Sequence, residues 1–391
     1  RPGRPQRALR AALPAGRTGA DRPTIPPVPA LRSPGWRAGN AGADWAGMQL
    51  HELERLGDHA RAWDALVDLC RLPSPFMRSW WVDNAAGGEP AILACCDDDG
   101  TLVGGAAFEV DRVAGLAGGV ERVRCLGQGP LAPDHLDVVA IPTRRREVLG
   151  AIGRWLREGD RIIDLDGLSE HCELPFLLDA PVLERVAAPY VALEEADPVD
   201  RLPGRLRSTV KRSGKRLARA GFEIRRVPAE DASGALARLF ELHDSRWQKQ
   251  SSFATGWDAF CSAAEAGMGA GEVVIHEITD GEVVIASELE LVARDRAAFY
   301  QAGRLTDHEY RGSGSVLKAE VLRWARSHGM VELDLLRGDE PYKHEWATAQ
   351  RSIVRIRTGV GVRGRLAAAG ANSWRRHAPG LVSALARLRR T

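Results

Sequence analysis

The stretch Tyr310-Arg311-Gly312-Ser313-Gly314-Ser315 decides how the C-terminal half of this 391-residue chain is interpreted. β-branched residues before it predict strands, and the residues from Ser315 to His328 have helical spacing, so the glycines stand at a strand-to-helix turn. Glycine at such a turn lets backbone N–H groups approach an anion, and the helix dipole favours negative charge there. The turn predicts a pyrophosphate-binding site, while a plain loop with an N-capping serine is the alternative.

Three short strands are predicted immediately before this turn. Glu272–Ile278 and Glu282–Val292 are rich in β-branched residues and flank Thr279-Asp280-Gly281, which is a hairpin signal, and Ala297–Ala302 follows. Helical spacing over Ala235–Gln248 precedes the strands, and a second short helix follows it. The predicted order is two helices, an antiparallel meander, the Gly-rich turn, a helix and a buried strand.

The N-terminal half repeats this order of elements. The spacing of Phe76 and Trp80 matches that of Phe253 and Trp257, and a helix followed by an apolar strand occurs in both halves. The sequence therefore predicts an α/β (α+β) protein built from two domains of one fold, each with a mixed, mostly antiparallel sheet flanked by helices. Chance similarity between two ordinary α/β segments is the alternative.

Composition sets the expected domain boundaries. Residues 1–47 are rich in Pro, Gly and Arg and are predicted to be a disordered leader or upstream translation, because the first methionine is Met48, where helix-forming composition begins. The N-terminal domain is expected over residues 48–200 and the C-terminal domain over 201–360. Residues 361–391 hold seven Arg and no acid and are predicted to be a basic helical tail.

The charge and cysteine patterns exclude several classes of function. The net charge is only +2, and arginines are concentrated in the tails, so the body is acidic, which disfavours a DNA partner. The six cysteines form no C-x-x-C pair and no Cys/His cluster with zinc-like spacing, so no metal is expected. No run of about 18 apolar residues occurs, so we expect no transmembrane segment and predict a cytoplasmic protein.

An acid interrupts the buried strand after the predicted helix. Asp334 lies inside the apolar run Val331–Leu336, which is the predicted strand. A carboxylate there costs free energy unless it is paired, and Arg337 or Lys343 is the expected partner. A purely structural ion pair is the alternative. Lysine is scarce, with five Lys against 49 Arg, so a retained Lys343 near other polar residues suggests a role, although an exposed loop lysine is the default interpretation.

Further proton-transfer candidates lie near the same turn. Glu288 and Glu290 share one face of the second meander strand, and one of them is predicted to face the cleft as a general base; the alternative is that both face solvent. Three of the four tyrosines, Tyr300, Tyr310 and Tyr342, fall in this region. Their hydroxyls are candidate proton donors, with buried, hydrogen-bonded tyrosines as the alternative.

The basic stretch Arg205–Arg219 contains seven Arg or Lys with Leu206, Val210 and Leu217 at helical spacing. This pattern predicts an amphipathic helix that docks on its own domain. Contact with an anionic substrate, tRNA or lipid headgroups is the alternative that the charge suggests.

The residues Asp334, Arg337, Gly338, Tyr342, Lys343 and Trp346 form the pattern D-x-x-R-G-x-x-x-Y-K-x-x-W after a meander and a Gly-rich turn. The chain resembles the CelD-like branch of the GNAT-superfamily acyltransferases, which is related to the double-GNAT Fem aminoacyltransferases. The basic helix and the pair Arg246-Trp247 also resemble that branch. One departure is visible, because the turn at Tyr310–Gly314 lacks a proline associated with the family.

The resemblance implies acetyl-CoA or another acyl-CoA as co-substrate, with its pyrophosphate on the backbone of Arg311, Gly312, Ser313, Gly314 and Ser315. Glu288 or Asp334 is expected to take the acceptor's proton, a tyrosine such as Tyr342 to protonate the leaving thiolate, and Lys343 to orient Asp334 or a substrate carbonyl. These four residues are the predicted catalytic set. The residues expected to bind substrate are Trp247, Tyr300 and Arg337.

The implied reaction moves an acyl group to an amine or hydroxyl of a small molecule or polysaccharide precursor, in polysaccharide or cell-envelope metabolism. Fem-like transfer from aminoacyl-tRNA, with tRNA contacting Arg205–Arg219, is the second possibility. A non-catalytic scaffold in a polysaccharide-synthesis complex is the third. The N-terminal half lacks the Arg-Gly and Tyr-Lys residues, so one active domain and one degenerate domain are expected.

Overall fold

The computed structural model describes residues 47–113, 119–247 and 255–370, without the side chains of residues 246 and 247. Within these ranges thirteen strands form one continuous sheet in the order β1-β2-β3-β4-β6-β13-β7-β12-β11-β10-β9-β8, with β5 pairing against β3. Two neighbouring pairs, β4 with β6 and β11 with β12, are parallel, and the other pairs are antiparallel. The predicted class, a mixed and mostly antiparallel sheet flanked by helices, is confirmed.

The N-terminal half runs from β1 to α4. Its elements are β1 (Met48–Leu53), α1 (Ala60–Asp68), α2 (Ser79–Val82), β2 (Glu89–Asp97), β3 (Leu102–Val113), β4 (Val120–Cys125), β5 (Val139–Ala140), α3 (Arg145–Leu156), β6 (Arg161–Ser169) and α4 (Leu174–Leu177).

The C-terminal half runs from β7 to β13. Its elements are β7 (Val182–Ala192), α5 (Gly204–Ala220), β8 (Glu223–Arg226), α6 (Ala232–Trp247), α7 (Trp257–Gly269), β9 (Val273–Asp280), β10 (Val283–Ala293), β11 (Arg296–Arg304), α8 (Ser313–Ser327), β12 (Glu332–Asp334), α9 (Pro341–Trp346) and β13 (Ala349–Val360). Residues 361–370 are helical, and the rest of the expected basic tail lies outside the described residues.

The two halves repeat one topology and exchange their last strands. In each half a parallel pair is followed by an antiparallel strand: β13 lies beside β6, and β7 lies beside β12. The strand at the end of the chain therefore completes the N-terminal sheet, while β7, which falls within the predicted N-terminal domain 48–200, completes the C-terminal sheet. Strands β7 and β13 also pair with each other, so the sheet continues across the junction.

Apolar packing also joins the halves. The largest cluster of buried residues contains Phe76 and Trp81 from the N-terminal half and Phe260 and Leu289 from the C-terminal half. The Tyr300 ring lies 5.6 Å from Phe76 and 5.1 Å from Phe260, measured between ring centroids. Aromatic side chains of this size contribute strongly to core stability, so the core fixes the relative position of the halves.

Two predicted elements are wrong in type or length. Residues from Met48 form β1 rather than a helix, because Met48–Leu53 pairs antiparallel with residues 92–97 at the edge of the sheet. The strand expected over Val331–Leu336 is only Glu332–Asp334. It ends there because the Asp334 carboxylate accepts a hydrogen bond from the Leu336 N–H at 2.7 Å, and Leu336 has a left-handed φ of +58°.

Candidate active site

Helix α8 begins at the Gly-rich turn, as the sequence predicts, and no side chain of a described residue caps its N-terminus. Gly312 has a φ of +87°, and a Cβ there would collide with the Ser213 hydroxyl of α5, so this position requires glycine. Arg216 of α5 donates hydrogen bonds to the carbonyls of Glu309 and Arg311, which holds the turn against α5. The first turn of this 15-residue helix therefore offers N–H groups and a positive dipole end.

A cleft of about 750 Å³ lies in front of this turn. Strand β11 pairs with β12 only through residues 296–298, so residues 299–304 leave β12 and form one wall. Gly314 and Ser315 of α8, Glu288 of β10 and residues 335–337 after β12 form other parts of the wall. Pro130–Ala132 and Asp134 of the N-terminal half complete it, a contribution that no pattern in the sequence indicated.

Glu288 is one of two buried carboxylates in the cleft wall; the other, Asp134, is paired with Arg337. The Glu288 side chain is 3% exposed, and its Oε1 accepts a hydrogen bond from Lys318 Nζ at 2.6 Å. Burial raises the pKa of Glu288 to about 7; Lys318 opposes the rise, and the neighbouring Glu290 adds to it. Glu290 is also buried and lies 2.8 Å from His276 Nδ1, so the alternative that both glutamates face solvent is wrong.

Asp334 is buried, but among the described residues it lines a separate small cavity rather than the cleft. Its Oδ2 lies 2.8 Å from His135 Nε2 and 3.6 Å from Arg351 Nη1. Burial alone would raise the pKa of Asp334, but His135, Arg351 and the Leu336 N–H outweigh it and lower the pKa. The expected partners, Arg337 and Lys343, are therefore wrong.

Arg337 connects the halves at the floor of the cleft. Its guanidinium donates to Asp134 Oδ1 at 2.5 Å, to Asp166 Oδ1 at 3.0 Å and to the Pro133 carbonyl at 2.8 Å, and its backbone N–H donates to Asp134 Oδ2 at 2.7 Å. All three partners belong to the N-terminal half. This arginine lines the cleft, but most of its donors are engaged within the protein.

Lys343 is buried, so an exposed loop lysine is the wrong interpretation. Its Nζ donates to the Arg337 carbonyl at 2.6 Å and to the Leu336 carbonyl at 3.4 Å, and lies 3.1 Å from Glu340 Oε2. Gly338, the residue after Arg337, has a φ of +128°, and a Cβ at this position would collide with the Glu340 carboxylate. Lys343 therefore holds the turn after β12 that carries Arg337 to the cleft.

The aromatic residues predicted for the site lie in different environments. The Tyr300 hydroxyl donates to the Leu131 carbonyl at 2.8 Å, and burial raises its pKa well above the ordinary value, so its proton is firmly held. Tyr342 is 42% exposed and lines the cleft, where a proton donor to a leaving group would be needed. Trp247 ends α6, and its side chain lies outside the described residues.

The corresponding N-terminal turn is built differently. Helix α3 begins at Arg145 after Pro142–Arg144, a segment with no glycine. Arg145 donates to the Val138 carbonyl at 2.8 Å and pairs with Asp137 at 2.9 Å and Glu173 at 2.6 Å. A protein side chain and its partners therefore occupy the region where the C-terminal half has its Gly-rich turn.

Across residues 47–113, 119–247 and 255–370, no group of three or more His, Cys, Asp or Glu side chains is arranged to hold a metal ion. In the same part of the chain, none of the helices has the length and apolar character needed to span a bilayer.

Comparisons with known proteins agree with this architecture. Residues 204–344 match the family model described as the acetyltransferase (GNAT) domain. FemX has 12% identity and a TM-score of 0.56, with the match covering 75% of this chain and 95% of FemX, and at this identity the likeness shows the fold alone. No curated protein matches the sequence.

Two further solved structures are similar at lower TM-scores. The C-terminal domain (DUF2156) of a putative lysylphosphatidylglycerol synthetase from Agrobacterium fabrum has 12% identity, covering 75% of this chain and 90% of that one, with a TM-score of 0.49. A tandem GNAT protein from the clavulanic acid biosynthesis pathway has 13% identity, covering 81% and 99%, with a TM-score of 0.46. The family match identifies residues 204–344 as an acetyltransferase (GNAT) domain, and the likeness to FemX shows that the shared fold extends over 75% of the chain.

Proposed function

We propose that the cleft transfers an acyl group from acetyl-CoA or another acyl-CoA to an amine or hydroxyl acceptor. One observation carries this proposal: the first turn of α8 and the buried carboxylate of Glu288 face the same cleft of about 750 Å³. The turn supplies an anion site for the donor, and the carboxylate supplies a base for the acceptor. Both functions are required by direct transfer between two bound substrates.

The residues of the turn fit a pyrophosphate. Backbone N–H groups of Gly312, Ser313, Gly314 and Ser315 stand at the uncapped end of α8, where the helix dipole favours negative charge. The Ser313 hydroxyl is buried beside these groups and has no hydrogen-bond partner among the described residues. The N–H of Arg311, which was also expected to bind the pyrophosphate, donates instead to the His308 carbonyl at 3.2 Å. Glycine at 314 keeps the cleft side of the turn open.

The chemistry assigned to the cleft needs a base, an oxyanion site and an acid. Glu288, with a pKa near 7, removes the proton from the attacking amine or hydroxyl. Backbone N–H groups in residues 299–304, where β11 has left β12, stabilise the developing oxyanion. Tyr342 at the cleft wall is the proposed proton donor to the leaving thiolate, because the Tyr300 proton is committed to the Leu131 carbonyl.

Two substitutions test the proposal. Gly314→Trp fills the cleft side of the turn and is expected to abolish acetyl-CoA binding measured by calorimetry, whereas Gly269→Trp, at an open position at the end of α7, is expected to leave binding unchanged. Glu288→Gln is expected to keep donor binding and to lower acyl transfer by about 100-fold or more. Normal donor binding by Gly314→Trp would place the donor elsewhere.

The acceptor class follows the same proposal. A base such as Glu288 suits an acceptor amine or hydroxyl, carried by a small molecule or a polysaccharide precursor. The proposed setting is polysaccharide or cell-envelope metabolism. A panel of amino sugars, amino acids and glycan precursors, assayed for acyl transfer by mass spectrometry, would identify the acceptor. If the acyl-CoA is only hydrolysed and no compound of the panel is acylated, transfer to these acceptor classes is contradicted.

A second candidate function is Fem-like transfer from aminoacyl-tRNA. One face of α5 forms a groove of about 600 Å³ beside the Gly-rich turn, lined by Ser208, Lys211, Arg212, Lys215, Arg216 and Arg219. Such a row of cations suits a phosphodiester backbone. This function would be favoured if aminoacyl-tRNA binds with a steep salt dependence. Arg212→Ala and Arg219→Ala should then each reduce the slope of log binding constant against log salt concentration by about 1. Salt-insensitive or absent binding would leave acyl-CoA as the donor.

A further inference from the structure

Lys318 is the charged side chain that contacts Glu288. It lies in α8, and its Nζ is 2.6 Å from Glu288 Oε1 and 3.2 Å from the centroid of the Phe299 ring. The Lys318 side chain is 7% exposed, so the ammonium is held between a carboxylate and an aromatic face with little access to water. The sequence offered a weak signal for this contact, because Lys318 is one of only five lysines.

Charged groups face Glu288 from three elements. Lys318 approaches from α8, Glu290 lies on the same strand β10, and His276 lies on the neighbouring strand β9. His276 is hydrogen-bonded to Glu290 rather than to Glu288. Among these three groups, Lys318 is the one whose side chain contacts the Glu288 carboxylate.

Burial and Glu290 act against ionisation of Glu288. Together they keep the pKa of Glu288 near 7 even with Lys318 in place. Without the ammonium, the same burial would leave the carboxyl protonated at neutral pH, and a protonated carboxyl cannot remove a proton from an acceptor.

We infer that Lys318 is a positioning residue for acyl transfer, whose ammonium keeps the Glu288 carboxylate ionised and fixed in the cleft wall; this inference rests on the proposed role of Glu288 as base. A buried ion pair adds little net stability compared with a well-packed apolar pair. Stability alone therefore does not account for a lysine at this position. The contact with Phe299, on the same wall of the cleft, restricts the ammonium to one side of the carboxylate.

The test is the pH profile of kcat/KM for acyl transfer by the full chain. Lys318→Met removes the cation but keeps an unbranched side chain, and is expected to move the acidic limb to higher pH by at least one unit. Activity at pH 7 would then fall by about five-fold or more and recover toward pH 9. Arg323→Met, on the exposed part of the same helix, is the matched control and is expected to leave the profile unchanged.

A second variant tests the same electrostatics with the opposite sign. Glu290→Gln removes the like charge beside Glu288 and is expected to move the acidic limb to lower pH. This variant keeps the proposal testable if Lys318→Met does not fold, because an acidic limb that stays in place in Glu290→Gln contradicts the electrostatic argument.

The outcomes separate three cases. An acidic limb that rises in Lys318→Met and falls in Glu290→Gln supports the inference. A folded Lys318→Met protein with reduced stability but an unchanged profile would make Lys318 purely structural and overturn it. Full activity in Glu288→Gln would instead remove Glu288 as the base, which contradicts the proposed function itself.

Discussion

The two halves of the molecule place a buried aspartate on corresponding strands, yet only in the C-terminal half does a Gly-rich turn begin the helix that precedes this strand. Asp164 on β6 is bonded to Arg355 and Arg357, and Asp334 on β12 lies beside His135 and Arg351. All three arginines belong to β13, one of the two strands that the halves exchange. The aspartates therefore hold the shared sheet together, whereas the Gly-rich turn and Glu288 distinguish the half in which we propose the acyl-donor site.

The largest expected effect comes from breaking the contact between the halves at Arg337. Arg337→Ala leaves Asp134 fully buried without its cation, and the free energy of unfolding is expected to fall by about 3–5 kcal/mol. Arg122→Ala, which removes a half-exposed pair with Asp111 inside the N-terminal half, is the matched control and is expected to cost about 1 kcal/mol or less. Chemical denaturation measures both, and equal losses would show that Arg337 does not join the halves.

Much of the fold was predictable from local sequence patterns, but the ion pair between Arg337 and Asp134 was not. The meander, the Gly-rich turn and the helix after it follow from residues close in sequence, so spacing and turn chemistry sufficed. Arg337 and Asp134 are 203 positions apart, and no periodicity links them. The partners of Asp334 were missed for the same reason, because His135 and Arg351 reach it only after β13 is inserted between β6 and β7.

The burial of Glu288 was only half predictable. A period of two places Glu288 and Glu290 on one face of β10, but it does not show which layer covers that face. The layer is α8, whose Lys318 supplies the compensating charge. The sequence therefore suggested Glu288 as a candidate base without indicating Lys318, the group that compensates its buried charge.

A second, smaller effect is expected from neutralising the paired aspartates. Asp334→Asn and Asp164→Asn are each expected to lower the free energy of unfolding by about 2–3 kcal/mol at pH 7, because each removes a buried carboxylate from its partners, which are His135 and Arg351 at Asp334 and Arg355 and Arg357 at Asp164. Asp334→Asn is also expected to retain acyl transfer in the folded protein, because Asp334 lines a different cavity from Glu288. Loss of transfer in a stably folded Asp334→Asn protein would return Asp334 to the position of general base.

The pH dependence of this effect has a defined sign. Burial would raise the pKa of both aspartates, but Arg355 and Arg357 around Asp164, and His135 and Arg351 around Asp334, outweigh it and lower the pKa. A carboxyl whose pKa is lower in the folded state stabilises the protein above the unfolded pKa of about 3.9, and this stabilisation is lost as the pH falls through the folded value. The stability difference between wild type and each Asn variant should therefore shrink below about pH 4.

The smallest effect tests why only the C-terminal turn is open. Gly312→Ala places a Cβ at a left-handed φ and against the Ser213 hydroxyl, whereas Gly329→Ala, with a φ of +76° and open space around it, meets only the backbone penalty. Gly329→Ala is expected to cost about 1 kcal/mol, and Gly312→Ala more than that. The collision at Gly312 is with the Ser213 side chain alone. Adding Ser213→Gly to Gly312→Ala should therefore remove the extra cost relative to Gly329→Ala, while the backbone penalty remains. Thermal denaturation of the three variants separates the backbone penalty of Gly312→Ala from the cost of its collision with Ser213. An equal loss of stability in Gly312→Ala and Gly329→Ala would mean that α5 does not enforce glycine at the turn. The helix dipole and the family resemblance alone would then support the anion site.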